Sequence, residues 1–433
     1  MLKRKVLQKL EEWKAQGAKK CLMVRGARQV GKTYIIRIFG EQQYESFVEI
    51  NFLMSPELKN IFSGNVDIST LQMNFSLYLP GVRFVAGRTL LFLDEIQECP
   101  EAVTALKFLV EDGRFDIIVS GSMLGIDYKR PTSYPVGSMV YVDMHALDFE
   151  EFLWANGVSE EVTDYLQDAF QKRQPVSEGI HHQVMNYLRQ YLVLGGMPEV
   201  VSVFLENRSM VEADQKQRAI LMDYRYDIAH YAEADIKMKA EKCYFSLPDQ
   251  LTKENHKFQF SVVEKGSNAR KYKTSLEWLE NAELIRRCYN VKTIHFPLQT
   301  YRDTTNFRVY PTDIGLLVGM FSYEVKAAIL EDRLAGGARG GLYEALVADM
   351  LIKNGHKELY FRKNEQATFE MEFLRETSEG IMPVEVKSGR SRSRSLDNLL
   401  ERNDIKCGFK LTPGNTGVKD KKISMPLYMA MFL

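Results

Sequence analysis

One short motif constrains the fold of this 433-residue chain more than any other feature. Residues 26–33 read GARQVGKT and match the pattern GxxxxGK[ST] in full. An apolar run at residues 21–25 precedes the motif, and a helical pattern over residues 33–39 follows it. A strand, a glycine loop and a helix in this order are the context of a true phosphate-binding loop, or P-loop. The sequence therefore predicts an α/β domain with a parallel sheet and a nucleotide site at the end of its first strand.

The predicted nucleotide site comprises the loop and the first residues of the helix. The two glycines let the backbone turn successive N–H groups toward phosphate oxygens. The Lys32 ammonium is expected to bridge the β- and γ-phosphates, and the Thr33 hydroxyl to bind Mg²⁺. The helix N-terminus adds a partial positive charge. The predicted nucleotide-binding residues are Gly26, Ala27, Arg28, Gln29, Val30, Gly31, Lys32, Thr33 and Tyr34.

Two carboxylates end a second apolar run, LLFLDE, at Asp94 and Glu95. Burying unpaired charge at the end of a strand is costly, so the pair indicates a site rather than a structural strand end. We expect Asp94 to hold the magnesium ion, and Glu95 to orient and deprotonate the attacking water. Lys32 and Glu95 are the predicted catalytic residues. Ser120 and Ser122 follow another apolar run, as a γ-phosphate sensor would, and a polar turn is an equal alternative.

The arrangement of apolar runs predicts an α/β fold in three parts. Nearly continuous apolar runs at residues 21–25, 47–53, 89–93 and 116–120 are typical of parallel strands covered on both faces. The middle of the chain is rich in helical patterns, and a helix over residues 272–282 leads into a short basic strand at residues 284–289, which is the outline of a winged helix. The last part alternates a helix at residues 340–354 with strands at residues 358–362, 368–374 and 382–387. The predicted domains are residues 1–205, a P-loop ATPase domain with a helical lid, residues 206–295, a helical and winged-helix domain, and residues 296–433, an α/β domain.

Five segments, in this order, resemble a known family. They are VRGARQVGKT at residues 24–33, LDEIQ at 93–97, VSGS at 119–122, LDFEEFL at 147–153 and LGGMPEV at 194–200. The chain resembles prokaryotic AAA-type ATPases that carry a conserved C-terminal domain of unknown function. The resemblance implies an ATP-binding domain of the AAA+ superfamily, a winged-helix middle and a restriction-endonuclease-like end, and it implies ATP rather than GTP. This chain has Gly137 and Ser138 where family members carry a Gly-Arg pair. Arg114 and Arg130 are candidates for an arginine finger, between which the sequence does not choose.

An acidic cluster is predicted in the C-terminal part. A hairpin turning at residues 377–380 places Glu372 opposite Glu385, and strand alternation puts Lys387 on the same face. Glu344, on the preceding helix, is a plausible fourth member. Facing carboxylates destabilise a hairpin unless something compensates, and a divalent metal in a nuclease-like site would do so. A degenerate nuclease fold or a binding surface is the alternative interpretation. Three arginines, Arg390, Arg392 and Arg394, lie in a nearby loop that either contacts phosphates or is simply solvated.

The chain has 57 Lys+Arg and 57 Asp+Glu residues, so it has no net charge that would attract nucleic acid. Partners of the middle part are therefore predicted only from its local clusters of charge. The helix and strand of the winged-helix pattern carry basic residues that suit double-stranded DNA, although charge on an exposed helix explains them equally well. They are Lys265, Arg270, Lys271, Lys273, Arg286 and Arg287. The leading hypothesis is an ATPase coupled to DNA binding or processing. The alternative is a nucleotide-controlled switch whose outer domains bind a protein partner or a second copy of the chain.

The cellular compartment is predicted from the pattern of cysteines and from the length of the apolar stretches. The five cysteines are scattered, without CxxC spacing, which argues against a disulfide framework or a zinc site and fits a reducing compartment. No signal-peptide pattern opens the chain, and no apolar stretch is long enough to cross a bilayer. We therefore expect a cytoplasmic protein without membrane contact.

Overall fold

A five-stranded parallel sheet carries the P-loop in the computed structural model, which describes residues 2–64, 67–121, 137–253, 256–366, 368–389 and 392–433. Its strand order is β2-β3-β4-β1-β5. The bounds are β1 Cys21–Arg25, β2 Ser46–Asn51, β3 Thr89–Asp94, β4 Asp116–Gly121 and β5 Met139–Asp143. The predicted parallel α/β sheet is confirmed, and β5, which pairs with β1, is a strand that the apolar runs did not reveal.

Burial explains why the continuous apolar runs are strands. Every residue of β3 is buried. Because successive side chains of a strand point to opposite faces, full burial means that both faces of the sheet are covered at this strand. The helices of this part are Lys5–Ala15, Lys32–Gln43, Ile68–Tyr78 and Pro100–Asp112, with 3₁₀ turns at Pro56–Phe62 and Ile96–Glu98.

The chain divides into two compact units. Residues 4–145 and 281–283 form one unit, and residues 1–3, 146–280 and 284–433 form the other. The second unit begins with a run of helices: Phe149–Ala155, Glu160–Lys172, Glu178–Leu194, Pro198–Asn207, Met210–Tyr231, Lys237–Phe245, Leu247–Leu251, Phe260–Val263 and Ala269–Asn281. The first of these begins with a capping box, in which Asp148 and Glu151 bond each other's backbone N–H groups.

An eight-stranded mixed sheet forms the rest of the second unit, in the order β12-β13-β11-β10-β9-β8-β6-β7. The strands are β6 Ile285–Val291, β7 Arg302–Pro311, β8 Leu359–Lys363, β9 Glu370–Thr377, β10 Gly380–Val386, β11 Gly408–Thr412, β12 Gly417–Lys419 and β13 Lys422–Pro426. The helices are Ile314–Gly319, Tyr323–Leu330, Gly336–Lys353 and Arg394–Leu400, with 3₁₀ turns at Leu298–Tyr301 and Leu427–Phe432.

Strand β6 is where local pattern and tertiary pairing differ. The sequence pattern assigns it to a winged helix, whereas its ladder partners are β7 and β8 of the large sheet. The predicted boundary at residues 295 and 296 therefore falls between two paired strands. The winged helix and the three-domain division stay predictions.

No helix within the described ranges combines the length and the apolar character that crossing a bilayer requires.

A buried ionic network fixes three helices of the second unit. The Lys353 ammonium lies 2.9 Å from an Asp349 oxygen and 3.0 Å from an Asp313 oxygen. It also donates to the Tyr191 hydroxyl at 2.9 Å. Burial raises the pKa of Asp349 to about 6 although Lys353 opposes the shift. The lysine is thus the counterion of two carboxylates that water does not reach.

Replacing Lys353 with Met should lower the free energy of unfolding by about 3–5 kcal/mol, because two buried carboxylates lose their counterion. Urea unfolding at about pH 7.5 measures this loss. The pKa of Asp349 is about 6 in the folded chain, so protonation removes one of the stranded charges at lower pH. The loss should therefore be smaller at about pH 5.

A matched control exists in the exposed pair Asp168 and Lys172, which has the same i,i+4 spacing at 2.8 Å. Lys172→Met should cost less than about 0.5 kcal/mol, because exposed ion pairs contribute little. Equal losses in the two variants would contradict the assignment of Lys353 as a buried counterion.

Candidate functional site

The P-loop joins β1 to the helix Lys32–Gln43 through two glycines that other residues could not replace. Gly31 has a φ of 94°, in the left-handed region that favours glycine. A Cβ atom at Gly26 would lie 2.1 Å from the carbonyl oxygen of Met144, which is closer than real atoms approach. The sequence motif is thus explained by the backbone path of the loop.

The Lys32 ammonium is bonded within the loop. It donates to the carbonyl oxygens of Gly26 at 2.9 Å and Ala27 at 2.8 Å. Burial lowers the pKa of Lys32, and the carboxylates of Glu95 and Asp94 oppose that shift. The lysine is therefore a desolvated cation that carbonyl dipoles and nearby acids keep in place.

Asp94 is the buried centre of the site, at 2% exposure. Its carboxylate accepts a hydrogen bond from the Thr33 hydroxyl at 2.9 Å and from the Asn51 amide at 2.8 Å. It also accepts one from the Ser120 hydroxyl. The structure thus places the predicted magnesium pair, Thr33 and Asp94, in direct contact. Ser120, the sensor candidate, contacts the same carboxylate, and Ser122 lies outside the described residues.

Asn51 is a site residue that the sequence analysis missed. It ends β2, beside the end of β3 in the parallel sheet. Its side-chain oxygen accepts from the backbone N–H groups of Leu53 and Met54 at 3.0 Å each, which orients the amide toward Asp94. The sequence did indicate this position, because Asn51 lies in the apolar run at residues 47–53 and the carboxyl ends of parallel strands meet at one edge of the sheet.

Glu95 adopts a backbone conformation that is uncommon for a residue with a side chain, with φ 53° and ψ 46°. Its carboxylate accepts a hydrogen bond from the side-chain amide of Gln97. Gln97 is itself buried, at 4% exposure. A buried glutamine thus holds the predicted base, a role that the sequence analysis did not assign.

Arg4 also contacts the P-loop, and the sequence analysis missed it. Its guanidinium donates to the carbonyl oxygen of Val30 at 3.1 Å and to that of His145 at 2.6 Å. Arg4 is buried. The contact holds the carbonyl group of a residue within the P-loop in place.

The arginine-finger candidates do not reach the loop within the described residues. Arg114 pairs with Asp112 at 2.7 Å, at the amino end of β4 and thus at the opposite edge of the sheet. Arg130 lies outside the described residues. Ser138 lies at the same opposite edge, where its carbonyl oxygen accepts from the N–H of Cys21 at 2.9 Å.

The predicted C-terminal cluster is brought together by the β9–β10 hairpin. The register pairs Val384 with Phe373 and so places Glu372 opposite Glu385, as predicted. Lys387 lies 3.0 Å from a Glu372 oxygen and 3.3 Å from a Glu385 oxygen. Burial raises the pKa of Glu372 to about 7, and the Lys387 ammonium opposes that shift. The Lys387 ammonium thus lies between the two facing carboxylates and offsets part of their charge.

Glu344 belongs to an adjoining group. Arg308 lies 2.6 Å from one of its oxygens and the His256 ring 2.7 Å from the other, and the Tyr310 hydroxyl donates to it. Burial opposes the charge of Glu344, but Arg308 and His256 outweigh it and lower its pKa to about 2. Among the residues that the structure describes, no three His, Cys, Asp or Glu side chains are grouped as a metal site.

The predicted basic face is partly neutralised by neighbouring acids. Arg287 pairs with Glu280 and is largely buried. Lys271 pairs with Glu264, and Lys273 lies 3.8 Å from Glu277. The basic residues at positions 265, 270, 271 and 273 are exposed. Of the arginines predicted in the loop after β10, Arg390 lies outside the described residues.

Comparison with protein families matches three parts of the chain. Residues 18–153 match the model of an AAA domain. Residues 185–326 and 339–430 match two domains of unknown function, DUF8612 and DUF4143. The first match and the parallel sheet agree on an AAA-type P-loop domain. The predicted endonuclease-like character of the C-terminal part stays a prediction.

Comparison with solved structures gives distant similarities. A Walker-type ATPase of Pyrococcus abyssi is 13% identical with a TM-score of 0.42, over 74% of this chain and 96% of that one. DnaA of Aquifex aeolicus with bound AMPPCP is 11% identical with a TM-score of 0.30, over 64% and 89%. Cdc6p of Pyrobaculum aerophilum is 13% identical with a TM-score of 0.28, over 76% and 94%. Scores this low support no conclusion about function. The search of curated proteins finds no match.

The elevated pKa of Glu372 should make the stability of the chain depend on pH. Its pKa is raised from 4.5 to about 7 in the folded chain, so the folded state holds a proton that the unfolded state releases. The contribution of this group to stability is therefore present below about pH 4.5 and is lost as pH rises to about 7, by up to about 1.4 kcal/mol per pH unit.

Glu372→Gln should flatten that part of the profile, which urea unfolding between about pH 4.5 and 7.5 measures. The control is Glu379→Gln, an exposed position in the same hairpin. An unchanged slope in Glu372→Gln would contradict the assignment.

Proposed function

We propose that the AAA-type domain binds ATP with Mg²⁺ and hydrolyses it. The observation that carries this proposal is the contact of 2.9 Å between the Thr33 hydroxyl and the Asp94 carboxylate, beside Lys32 and Glu95. These are the side chains that phosphoryl transfer to water needs at one point. ATP rather than another nucleotide comes from the family resemblance.

The donor set suits magnesium. Thr33, Asp94 and Asn51 offer hydroxyl, carboxylate and amide oxygens and no sulfur or imidazole, which is what this hard cation prefers. Thr33 and Asp94 would hold the ion, directly or through its waters. When bound, Mg²⁺ supplies neutralisation of the phosphate charge that builds up as the terminal phosphate leaves.

The remaining steps belong to the side chains of the chain itself. The N–H groups of the loop and the Lys32 ammonium bind phosphate oxygens and stabilise negative charge in the transition state. Glu95, held by Gln97, accepts a proton from the attacking water. The buried Asp94 keeps Thr33 and Asn51 in place during this cycle.

Glu95→Gln should lower the rate of ATP turnover at least about 100-fold and leave ATP binding nearly intact, because the amide keeps the shape but cannot take the proton. Steady-state phosphate release and equilibrium binding of a fluorescent ATP analogue measure the two effects. The control, Glu101→Gln, alters an exposed acid in the helix that follows. Turnover in Glu95→Gln at the native rate would rule out Glu95 as the base.

We further propose that the nucleotide state is coupled to binding of duplex DNA by the second unit. The supporting observation is four exposed cations within nine residues, at Lys265 and at Arg270, Lys271 and Lys273 on the helix Ala269–Asn281. Their ion pairs with Glu264 and Glu277 are surface contacts that phosphates can compete for. Arg287 is excluded from this surface because it is held by Glu280.

Changing Lys271 and Lys273 together to Glu should weaken DNA binding and reduce the slope of affinity against salt by about two, because each lysine neutralises one phosphate. Fluorescence anisotropy with a labelled duplex measures both quantities. The control is Lys9→Glu with Lys19→Glu, which changes net charge equally at exposed positions of the other unit.

If the native chain binds no duplex at low salt, the DNA half of the proposal fails. Nucleotide-dependent self-association without DNA binding would favour the alternative, a switch that acts on protein partners. The ATPase half is tested separately by Glu95→Gln.

Nuclease chemistry is not part of the proposal. The Lys387 ammonium already compensates Glu372 and Glu385, and Arg308 compensates Glu344. A divalent cation would have to displace these bonded cations from the carboxylates. The cluster as it stands is better suited to hold the sheet together than to bind a metal.

A further inference from the structure

A cavity of about 480 Å³ lies beside β8 and β9 in the C-terminal part, and none of the residues that line it is part of the proposed nucleotide site. Its volume is within the range of sites that bind small molecules. The residues that line it include Leu351, Leu359, Phe373 and Leu374. These four residues are nearly fully buried, so each contributes a small part of its surface to the wall. The pocket is open to solvent on one side and has room for an aromatic or branched apolar group.

One charged side chain in this wall lacks a counterion. The Arg375 side chain is half-buried and makes no ion pair with any residue that the structure describes, and its Nε atom is fully buried without a hydrogen-bond partner. Burial alone lowers the pKa of Arg375 to about 10, without an acidic neighbour to oppose it. Desolvating a cation without a partner costs free energy that folding must supply.

Arg308, in the same sheet, gives a contrast. It is buried and paired with both Glu344 and Glu370, whereas Arg375 is half-buried and has no ion pair within the described residues. The same sheet therefore supplies acids where an arginine has only a structural role. Arg375 has no such acid within the described residues and is one of the residues that line the cavity.

The acids at the edge of the cavity are already engaged elsewhere. Glu358 lies 3.1 Å from Arg302 and accepts from the Tyr360 hydroxyl. Glu376 accepts from the backbone N–H of Leu298. Neither carboxylate is paired with Arg375, so the guanidinium still has donors to offer.

A histidine completes the polar wall. His356 lies near enough that the charge of Arg375 lowers its pKa, after the larger effect of burial. The ring is therefore neutral at pH 7, and its Nε2 atom lies 3.2 Å from the carbonyl oxygen of Leu433. Because the ring is neutral, Arg375 and the exposed Lys357 are the cations among the residues that line the cavity.

We propose that this cavity binds a small organic anion, with a carboxylate or phosphate head on Arg375 and an apolar body against Leu359 and Phe373, which share the face of Arg375 by strand alternation. A guanidinium group can donate two parallel hydrogen bonds to either a carboxylate or a phosphate. The two kinds of ligand therefore share one mode of binding. The proposal is independent of ATP hydrolysis, because all of these residues lie in the second unit.

Isothermal titration calorimetry of the full chain with benzoate, phenyl phosphate and inorganic phosphate tests this site. The titrations are made on a Lys32→Met background, so that the P-loop ammonium does not contribute to phosphate binding. We expect saturable binding of benzoate or phenyl phosphate, with inorganic phosphate weaker because it lacks the apolar body. Which of the two heads binds more tightly decides between a carboxylate and a phosphate ester.

Arg375→Met should weaken binding of the tighter probe at least about 10-fold, which corresponds to loss of a charge-assisted contact. The same variant should raise the melting temperature of the ligand-free chain, because a half-buried cation without an ion pair is replaced by an apolar side chain. A purely structural arginine would give the opposite sign. Arg333→Met, at an exposed arginine of the same unit, should change neither quantity.

Two results would overturn the proposal. No saturable binding of any of the three probes at about 20 mM by the Lys32→Met chain, whose fold is checked by near-ultraviolet circular dichroism, would do so without any variant at Arg375. Binding that is unchanged in Arg375→Met or in the milder Arg375→Lys would place the anion elsewhere.

Discussion

The buried carboxylate of Asp94 is the interaction on which the nucleotide site depends. It accepts hydrogen bonds from Thr33 of the loop helix, from Asn51 at the end of β2 and from Ser120 in β4. Burying a polar group costs free energy unless hydrogen-bond partners are in place to offset it. These contacts therefore tie the loop helix, β2 and β4 to the end of β3.

Much of the first unit could be predicted, because its physical causes are local in sequence. Strands covered on both faces leave continuous apolar runs, and the loop leaves glycines where the backbone has no room for a Cβ. The hairpin at Glu372 and Glu385 could also be predicted, since alternation and the turn set its register. In each case neighbouring residues carry the whole signal.

Two of the residues that were missed act across long stretches of chain. Arg4 bonds carbonyl groups 26 and 141 residues away, and Asn51 bonds a carboxylate 43 residues away. Their residue types are common on surfaces, so residue type alone does not mark either one as part of a site. Strand β6 is the opposite case, because its local pattern is clear but does not reveal its partners. A helix and a turn precede it as in a winged helix, whereas its hydrogen-bonded partners are β7 and β8 of the large sheet.

The two hydrogen bonds that Lys32 makes to Gly26 and Ala27 have a consequence for ligand selection. A phosphate must compete with these carbonyl oxygens for the same ammonium protons, so the net gain is the difference between two sets of bonds. A single neutral acceptor would gain almost nothing from such an exchange. An acceptor with several negative oxygens would gain much more, because ionised acceptors form the stronger bonds. Exchange of these two bonds therefore favours an acceptor with several negative charges, such as a polyphosphate, over an uncharged nucleoside.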